Sequence, residues 1–171
     1  MSSVKISVNR LFGSDVGALD VDQSVRPAGE LKERYPNGVR VRAQIRGISH
    51  GVYLEGTLEG REHEMCARCL EAFSRNVSVP LLETYSEDVP ESDALFSDVT
   101  PLLNREIDLG ELVTQLLEVD EPIAAVCDER CRGICHICGG NRNVTVCACS
   151  EATIDSRLAG LARLLEERGT D

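Results

Sequence analysis

Residues 39 to 46 read Val-Arg-Val-Arg-Ala-Gln-Ile-Arg, and this alternation decides the fold class. A period of two places the apolar residues on one face of a β-strand and Arg40, Arg42 and Arg46 on the other. Residues 52 to 59 alternate in the same way, after a Gly-Ile-Ser-His-Gly connection at 47 to 51. The two stretches predict a β-hairpin with a five-residue loop.

The flanking segments extend this prediction to a sheet. Residues 3 to 12 and 73 to 85 also alternate, and no helical pattern separates the second stretch from the hairpin, which favours antiparallel pairing. Residues 13 to 37 contain scattered Gly, Pro and charged residues and predict a long connection with little regular structure. Residues 86 to 101 are acidic and predict an exposed loop.

Two amphipathic helices are predicted after the sheet. Asp108 is a candidate N-cap for a helix that ends before Pro122, and Asp155 is a candidate N-cap for a helix that ends near Gly169. The fold class is therefore α+β, an antiparallel sheet with two or three helices and a C-terminal cysteine-rich zinc-knuckle block. We predict a sheet domain with the acidic loop and first helix over residues 1–126, packed as one unit with the knuckle and last helix over 127–171.

Composition narrows the class of protein. The 171 residues include 18 basic and 29 acidic side chains, for a formal charge of −11, and residues 67 to 126 alone carry 3 basic against 13 acidic. This balance argues against a purely electrostatic nucleic-acid binder. No stretch has the roughly 18 apolar residues of a membrane span, and the first residues lack a secretion signal. The expectation is a globular cytoplasmic protein with no membrane partner.

Eight cysteines form the main chemical motif. They occur as Cys66-x2-Cys69 and as Cys127-x3-Cys131-x3-Cys135-x2-Cys138-x8-Cys147-x-Cys149. Thiols clustered at these spacings in a reducing compartment favour structural zinc, one or two ions. The simplest partition joins the last four cysteines in one site and leaves Cys66, Cys69, Cys127 and Cys131 for a second, although Cys131 is equally placed to join the knuckle.

Other uses of the thiols stay open at this point. Disulfides are disfavoured by the missing signal sequence, and an iron–sulfur cluster by the absence of a ferredoxin-type run. A thiol-redox motif at Cys66 and Cys69 lacks the expected βαβ context. His50, His63 and His136 are isolated, and no phosphate loop or nucleophile motif is present. The sequence therefore predicts a protein that is not an enzyme and has no small-molecule substrate. Among the alternatives, a metal-dependent hydrolase is the least favoured.

Two polar sets are candidate partner-binding surfaces. The first is the arginine face of the hairpin, formed by Arg40, Arg42 and Arg46, which could contact phosphates or pair with Glu55 and Glu59 across the strands. The second is the set within the cysteine block, which contains Arg132, Asn141, Arg142 and Asn143. A metal site would hold these loops in place before binding, although the same residues could simply solvate a loop.

The sequence resembles a known family at several motifs. These are Cys66-Ala-Arg-Cys69-Leu-Glu, Ile107-Asp108-Leu109, Cys131-Arg-Gly-Ile-Cys135-His-Ile-Cys138-Gly-Gly-Asn141-Arg-Asn143, Cys147-Ala-Cys149, and Asp155-Ser-Arg-Leu-Ala-Gly-Leu. Over residues 38 to 165 the chain resembles the YceD family of large ribosomal RNA subunit accumulation proteins. The resemblance implies a cytoplasmic bacterial protein of ribosome biogenesis and supplies no catalytic residue.

These observations lead to one functional prediction and one alternative. The prediction is a non-enzymatic ribosome assembly factor, required for accumulation of large-subunit (23S) ribosomal RNA. Its partner would be the large-subunit precursor, through rRNA, a basic ribosomal protein, or both, and the acidic segment would contact or shield such a protein. The alternative is a redox-sensing regulator whose thiols, or a cluster bound to them, are functional.

Overall fold

The alternating stretches form the hairpin predicted for them, in a computed structural model that describes residues 4–12, 17–90, 92 and 97–149. The fold class is α+β, as predicted. The strands are β1 (Lys5–Ser7), β2 (Ala18–Val25), β3 (Val39–Ile48), β4 (Gly51–Met65), β5 (Ala72–Ser86), β6 (Thr100–Pro101) and β7 (Glu106–Asp108). The helices are α1 (Leu31–Arg34) and α2 (Leu109–Val119), and a 3₁₀ turn covers Asn9–Leu11.

Local hairpins organise the main sheet. Its strand order is β2-β3-β4-β5-β6, and every pair is antiparallel except the short parallel contact between β5 and β6. Strands β1 and β7 form a separate antiparallel pair. The β4–β5 hairpin is longer than β3, so residues 61 to 65 and 72 to 76 extend beyond it as a two-stranded ribbon. The first cysteine pair follows β4 at the end of this ribbon.

The hairpin connection is shorter than the sequence suggested. Gly47 pairs with Val52 and Ile48 pairs with Gly51, so only Ser49 and His50 lie between the strands. The sequence predicts Gly47 and Gly51 as loop residues, but both are paired strand residues. A Cβ at Gly51 would lie 1.8 Å from the Tyr85 carbonyl oxygen, so glycine is required where β5 approaches this closely.

The prediction of a long irregular connection over residues 13 to 37 is wrong, because β2 and α1 both lie within it. Strand β2 carries aspartates that lower its local β-propensity. They are stabilised in the strand by β3: both Asp22 carboxylate oxygens accept hydrogen bonds from Arg40 at 2.7 Å, and Asp20 accepts one from Gln44 at 2.9 Å. The strand therefore depends on a distant partner that no local pattern identifies.

The core lies on one side of the sheet and is aliphatic. Its fully buried side chains include Val41, Ile45, Leu54, Leu58, Leu81, Ile107, Leu109 and Leu117. Helix α2 contributes to this core and begins as predicted, since Asp108 Oδ1 accepts hydrogen bonds from the amides of Gly110 (2.9 Å) and Glu111 (3.3 Å). The helix predicted from Asp155 lies outside the described residues. None of the described helices has the length and apolarity needed to cross a membrane.

A buried carboxylate marks the boundary between the sheet and the cysteine block. Glu62 lies on the core-facing side of β4 and is 1% exposed. It accepts hydrogen bonds from Arg34 Nη2 of α1 at 2.6 Å and from Arg75 Nε of β5 at 2.7 Å. Arg34 also pairs with Glu64 and with Glu121, which follows α2. This ion-pair cluster holds α1 and the segment that leads to Cys127 against the ribbon.

Candidate metal centres

The eight cysteines lie in two groups of four. We call Cys66, Cys69, Cys127 and Cys131 the first cysteine group, and Cys135, Cys138, Cys147 and Cys149 the second cysteine group. Within each group the Sγ atoms all lie within 4.8 Å of one another. This is the simplest partition that the sequence spacing allowed, with Cys131 in the first group. The first group joins the end of the β4–β5 ribbon to the chain that follows α2.

The sulfur separations match a tetrahedral site around one ion. Cys66 Sγ and Cys131 Sγ are 3.8 Å apart, and Cys69 Sγ and Cys127 Sγ are 3.7 Å apart. Four sulfurs at the usual zinc–sulfur distance would be about 3.8 Å apart. A disulfide needs about 2.05 Å, and all eight cysteines are free thiols. Two sites able to hold a metal ion are therefore present, and four thiolates are a donor set that suits zinc.

Both Cys-x2-Cys turns have the same backbone hydrogen bonds. The Cys66 amide donates to the Glu71 carbonyl and the Leu70 amide to the Cys66 carbonyl, both at 2.9 Å. In the second group the Cys135 amide donates to the Gly140 carbonyl and the Gly139 amide to the Cys135 carbonyl, both at 2.8 Å. The residue after each second cysteine is left-handed, with φ of 60° at Leu70 and 70° at Gly139. Each turn aims its two sulfurs at one point.

Replacing Gly139 with alanine is expected to destabilise the second turn. An alanine there lowers the free energy of local unfolding by about 1 kcal/mol because a Cβ disfavours positive φ. Nothing lies within 4 Å of the added Cβ, so the effect isolates backbone conformation. Gly140→Ala is the matched control, since its Cβ would make an ordinary 3.5 Å contact with Cys138 Sγ. Hydrogen exchange of the turn measures both variants, and equal protection in the two would contradict the assignment.

Backbone amides make each group ready to bind a cation. The amides of Cys127 and Cys69 donate to the Cys66 sulfur and lower its pKa to about 6. The amides of Cys138 and Ile137 do the same for Cys135, again to about 6. In contrast, hydrogen bonding with Cys66 raises the pKa of Cys127 to about 12. Without a cation, each group thus favours a thiolate alongside protonated thiols, and a metal that requires four thiolates must displace those protons.

Hydrogen bonds connect the two cysteine groups. Asn143 Nδ2, from the loop of the second group, donates to Cys131 Sγ of the first at 3.2 Å. Asn143 Oδ1 accepts from the Arg132 amide at 2.8 Å. The Ile134 amide donates to the Arg68 carbonyl at 3.0 Å, and Arg68 Nη1 donates to the Glu129 carbonyl at 2.9 Å. These contacts with the first group therefore hold the second group in position.

Replacing Asn143 with alanine is expected to weaken metal retention by the first group. The change removes the donor to Cys131 Sγ, and loss of such a partner lowers metal affinity about ten- to a hundredfold. Competition with a chromophoric chelator at constant pH measures the effect. Val144→Ala is the control, because Val144 is exposed and adjacent in the chain. An affinity of the Asn143 variant equal to that of the control would contradict this role.

The candidate partner residues fall into different environments. On the arginine face, Arg40 pairs with Asp22, Arg42 Nη1 lies 3.2 Å from Glu59 Oε2, and Arg46 Nε donates to Gln44 Oε1 at 2.7 Å. The predicted alternative, cross-strand pairing with glutamate, therefore occurs at Glu59. Whether this face also binds a partner stays a prediction.

The set in the cysteine block divides between scaffold and surface. Asn141 Oδ1 accepts from the Asn143 amide at 2.9 Å, so both asparagines take part in the loop's own hydrogen bonding. Arg132 and Arg142 are instead exposed beside the second group. Arg68, whose carbonyl and guanidinium link the two groups, could not be identified from the sequence, because such long-range contacts leave no local pattern.

Comparison with known proteins gives a family match. The model of the family described as large ribosomal RNA subunit accumulation protein YceD matches residues 54–165. An uncharacterized protein of Mycobacterium tuberculosis is 28% identical over 98 residues, which are 56% of this chain and 47% of that protein. The chloroplastic YCED homolog 1 of Arabidopsis thaliana, named a large ribosomal RNA subunit accumulation protein, is 33% identical over 63 residues, 37% of this chain and 20% of that protein. No solved structure matches the chain significantly.

Proposed function

Because the chain belongs to the YceD family of large ribosomal RNA subunit accumulation proteins, we propose that it is a non-enzymatic ribosome assembly factor. Accumulation of the large-subunit ribosomal RNA would depend on it, and it would act in the bacterial cytoplasm by binding a precursor of the large subunit. The aligned segments span about half or less of the curated relatives' own length. The partner and the mode of action are therefore argued from the residues of this chain.

The observation that carries the proposal is the overlap between the matched region and the cysteine block. Residues 54–165 include β4 from Leu54 onward, β5, α2 and both cysteine groups, whereas β3 with its three arginines precedes the match. The part of the chain that supports the family assignment is thus the ribbon with its two candidate metal centres. This favours the cysteine block over the arginine face as the partner-binding surface.

Electrostatics supports the same choice. Binding a phosphate at Arg40 or Arg42 requires that the guanidinium share or lose its present carboxylate partner. Arg132 and Arg142, by contrast, pair with no carboxylate among the described residues. The acidic segment within residues 83 to 98 would contact or shield a basic ribosomal protein. In its described part, Glu87 pairs with Arg105, and His50 Nδ1 lies 3.2 Å from Asp88 Oδ2.

The bound metal in this proposal is structural zinc, one ion in each cysteine group. The zinc would be structural and not catalytic, and it would hold four thiolates at one point. The chain's own contribution is to hold the loops at 66–71 and 127–149 in one arrangement before a partner arrives, which lowers the ordering cost of binding. The redox-sensing alternative has less support, because Cys66 and Cys135, whose pKa values are lowered, are both buried and a sensor thiol must be accessible.

Depletion of the protein in its bacterial host tests the proposed function. We expect the ratio of large- to small-subunit ribosomal RNA to fall and precursor particles to accumulate on sucrose gradients. Re-expression of the intact chain, or of Val144→Ala as a neutral variant, should restore the ratio. An unchanged ratio after full depletion would reject the proposal. Capture of the protein from extract, with and without ribonuclease, then separates an RNA partner from a basic protein partner.

A further inference from the structure

A small cleft lies beside the second cysteine group. Its volume is roughly 250 Å³, below the range of about 300–1,000 Å³ that is typical of sites for whole small-molecule ligands. Three cysteines of the second group line it, together with Arg132, His136, Ile137, Arg142, Thr145 and Val146. The cleft is large enough for one planar group, and none of the residues that line it is acidic.

The two arginine side chains at this cleft, Arg132 and Arg142, are available to bind a ligand. In the part of the chain that the structure describes, no carboxylate pairs with Arg132 or Arg142, in contrast to the pairs Arg40–Asp22 and Arg105–Glu87. Both cleft arginines have fixed backbones, because the Arg132 amide donates to Asn143 Oδ1 at 2.8 Å and the Arg142 amide to the Gly133 carbonyl at 2.9 Å. Two unpaired guanidinium groups thus project from an ordered loop in a chain of net charge −11.

Apolar side chains complete the cleft. Ile137 is 52% exposed and Val146 is 95% exposed, so the cleft presents apolar side chains to a ligand. Apolar surface next to unpaired arginines fits a ligand that is flat and apolar at one end and anionic at the other. An unpaired nucleotide has this character, because its base packs on apolar or guanidinium surfaces while its phosphate takes charge-assisted hydrogen bonds. An acidic peptide would satisfy the arginines but leave the apolar wall exposed.

We propose that this cleft binds one unpaired nucleotide of an RNA strand, with the base against Ile137 and Val146 and an adjacent phosphate at Arg132 and Arg142. The inference rests on the proposed function, which supplies large-subunit precursor RNA as the strand. A different role for the arginines would be to balance charge, since four thiolates and one divalent ion leave the metal site with two net negative charges. The experiment must separate these two roles.

Fluorescence anisotropy with the full-length, metal-loaded protein tests the proposal. The probes are a single-stranded A/U oligoribonucleotide of about ten nucleotides, a duplex RNA of equal length, and polyglutamate as an acidic polypeptide. We expect the single strand to bind best. Arg132→Ala and Arg142→Ala should each weaken it about tenfold and reduce the slope of log K against log salt by about 0.7. Ile137→Ser should weaken binding with an unchanged slope, and Arg61→Ala, an exposed arginine of β4 outside both candidate surfaces, is the control and should change neither.

The outcomes distinguish the possible roles. The proposal is supported if the arginine variants lose affinity while their metal content and thermal stability stay at the level of the Arg61 variant. It is overturned if duplex or polyglutamate binds as well as the single strand, or if Ile137→Ser binds like the unchanged protein. It is also overturned if the arginine variants lose metal, because the arginines would then serve to balance charge.

A cellular measurement separates this inference from the proposed function. If depletion of the protein lowers large-subunit RNA but the Arg132 and Arg142 variants restore it fully, the cleft proposal fails and the proposed function stands. If depletion leaves the RNA unchanged, the proposed function fails, whatever the cleft binds.

Discussion

Replacing Cys131 with serine is expected to remove bound metal from the first cysteine group and to disorder the second group as well. Serine is a poor ligand for zinc, and a structural zinc site contributes about 10–16 kcal/mol of apparent binding energy in small metal-dependent domains. Cys131 also accepts the hydrogen bond from Asn143, whose carbonyl oxygen holds the Arg132 amide. Losing the first site therefore releases the loop that carries the second.

Cys149→Ser is the matched comparison, since it removes one ligand from the second group only. No described contact makes the first group depend on Cys149, so this variant should lose one metal ion and keep the turn at 66–71 protected. Hydrogen–deuterium exchange with peptide resolution measures both variants. Strand β3, which pairs with β4 no further along the ribbon than Gly60, should exchange equally slowly in each. The prediction is that the second group depends on the first but the first does not depend on the second. Equal disorder of both groups in the two variants, or no disorder in either, would contradict it.

Replacing Glu62 with alanine is expected to produce the second large effect. The change removes the carboxylate shared by Arg34 and Arg75 and leaves two partly buried guanidinium groups without it. Breaking a buried pair by removing one partner destabilises a protein by about 3–5 kcal/mol. Because Arg75 remains 34% exposed, we expect a value near the lower end of this range, about 3 kcal/mol. Urea denaturation followed by far-ultraviolet circular dichroism measures the loss.

Glu59→Ala provides the control for this prediction. Glu59 lies on the same strand, pairs with Arg42 and is 49% exposed, so its removal should change stability by less than about 1 kcal/mol. Similar losses for the two variants would mean that burial at Glu62 does not strengthen the ion pair. The Glu62 variant should also loosen the segment after α2, since Arg34 pairs with Glu121 there.

Local patterns were sufficient for the elements whose stability is local. The alternation at 39 to 46 predicted β3 and its inward face, and the Asp108 cap with its apolar stripe predicted α2. They were insufficient for β2, whose aspartates are stabilised in the strand by Gln44, which lies opposite Asp20, and by Arg40, which lies diagonally across from Asp22 and donates to it. They also missed Glu62, which follows the inward register of β4 and is tolerated there because Arg34 of α1 and Arg75 of β5 pair with it. Pairing partners remote in sequence cannot be inferred from periodicity.

The candidate site shows the same division. Cysteine spacing was enough to suggest the two groups, because a Cys-x2-Cys turn constrains its own geometry. It did not reveal that Asn143 contacts Cys131 or that Arg68 contacts both groups. It also did not separate the paired arginines of β3 from the unpaired ones beside the second group. These distinctions depend on which residues the fold brings together.

We propose that two metal ions, one in each cysteine group, hold the partner-binding surface of this chain in place. Native mass spectrometry of protein purified anaerobically, combined with elemental analysis, tests it most directly. We expect about two zinc ions per chain in the unchanged protein, one of them lost in Cys149→Ser and both diminished in Cys131→Ser. Fewer than about 0.3 zinc ions per chain in the unchanged protein would contradict it.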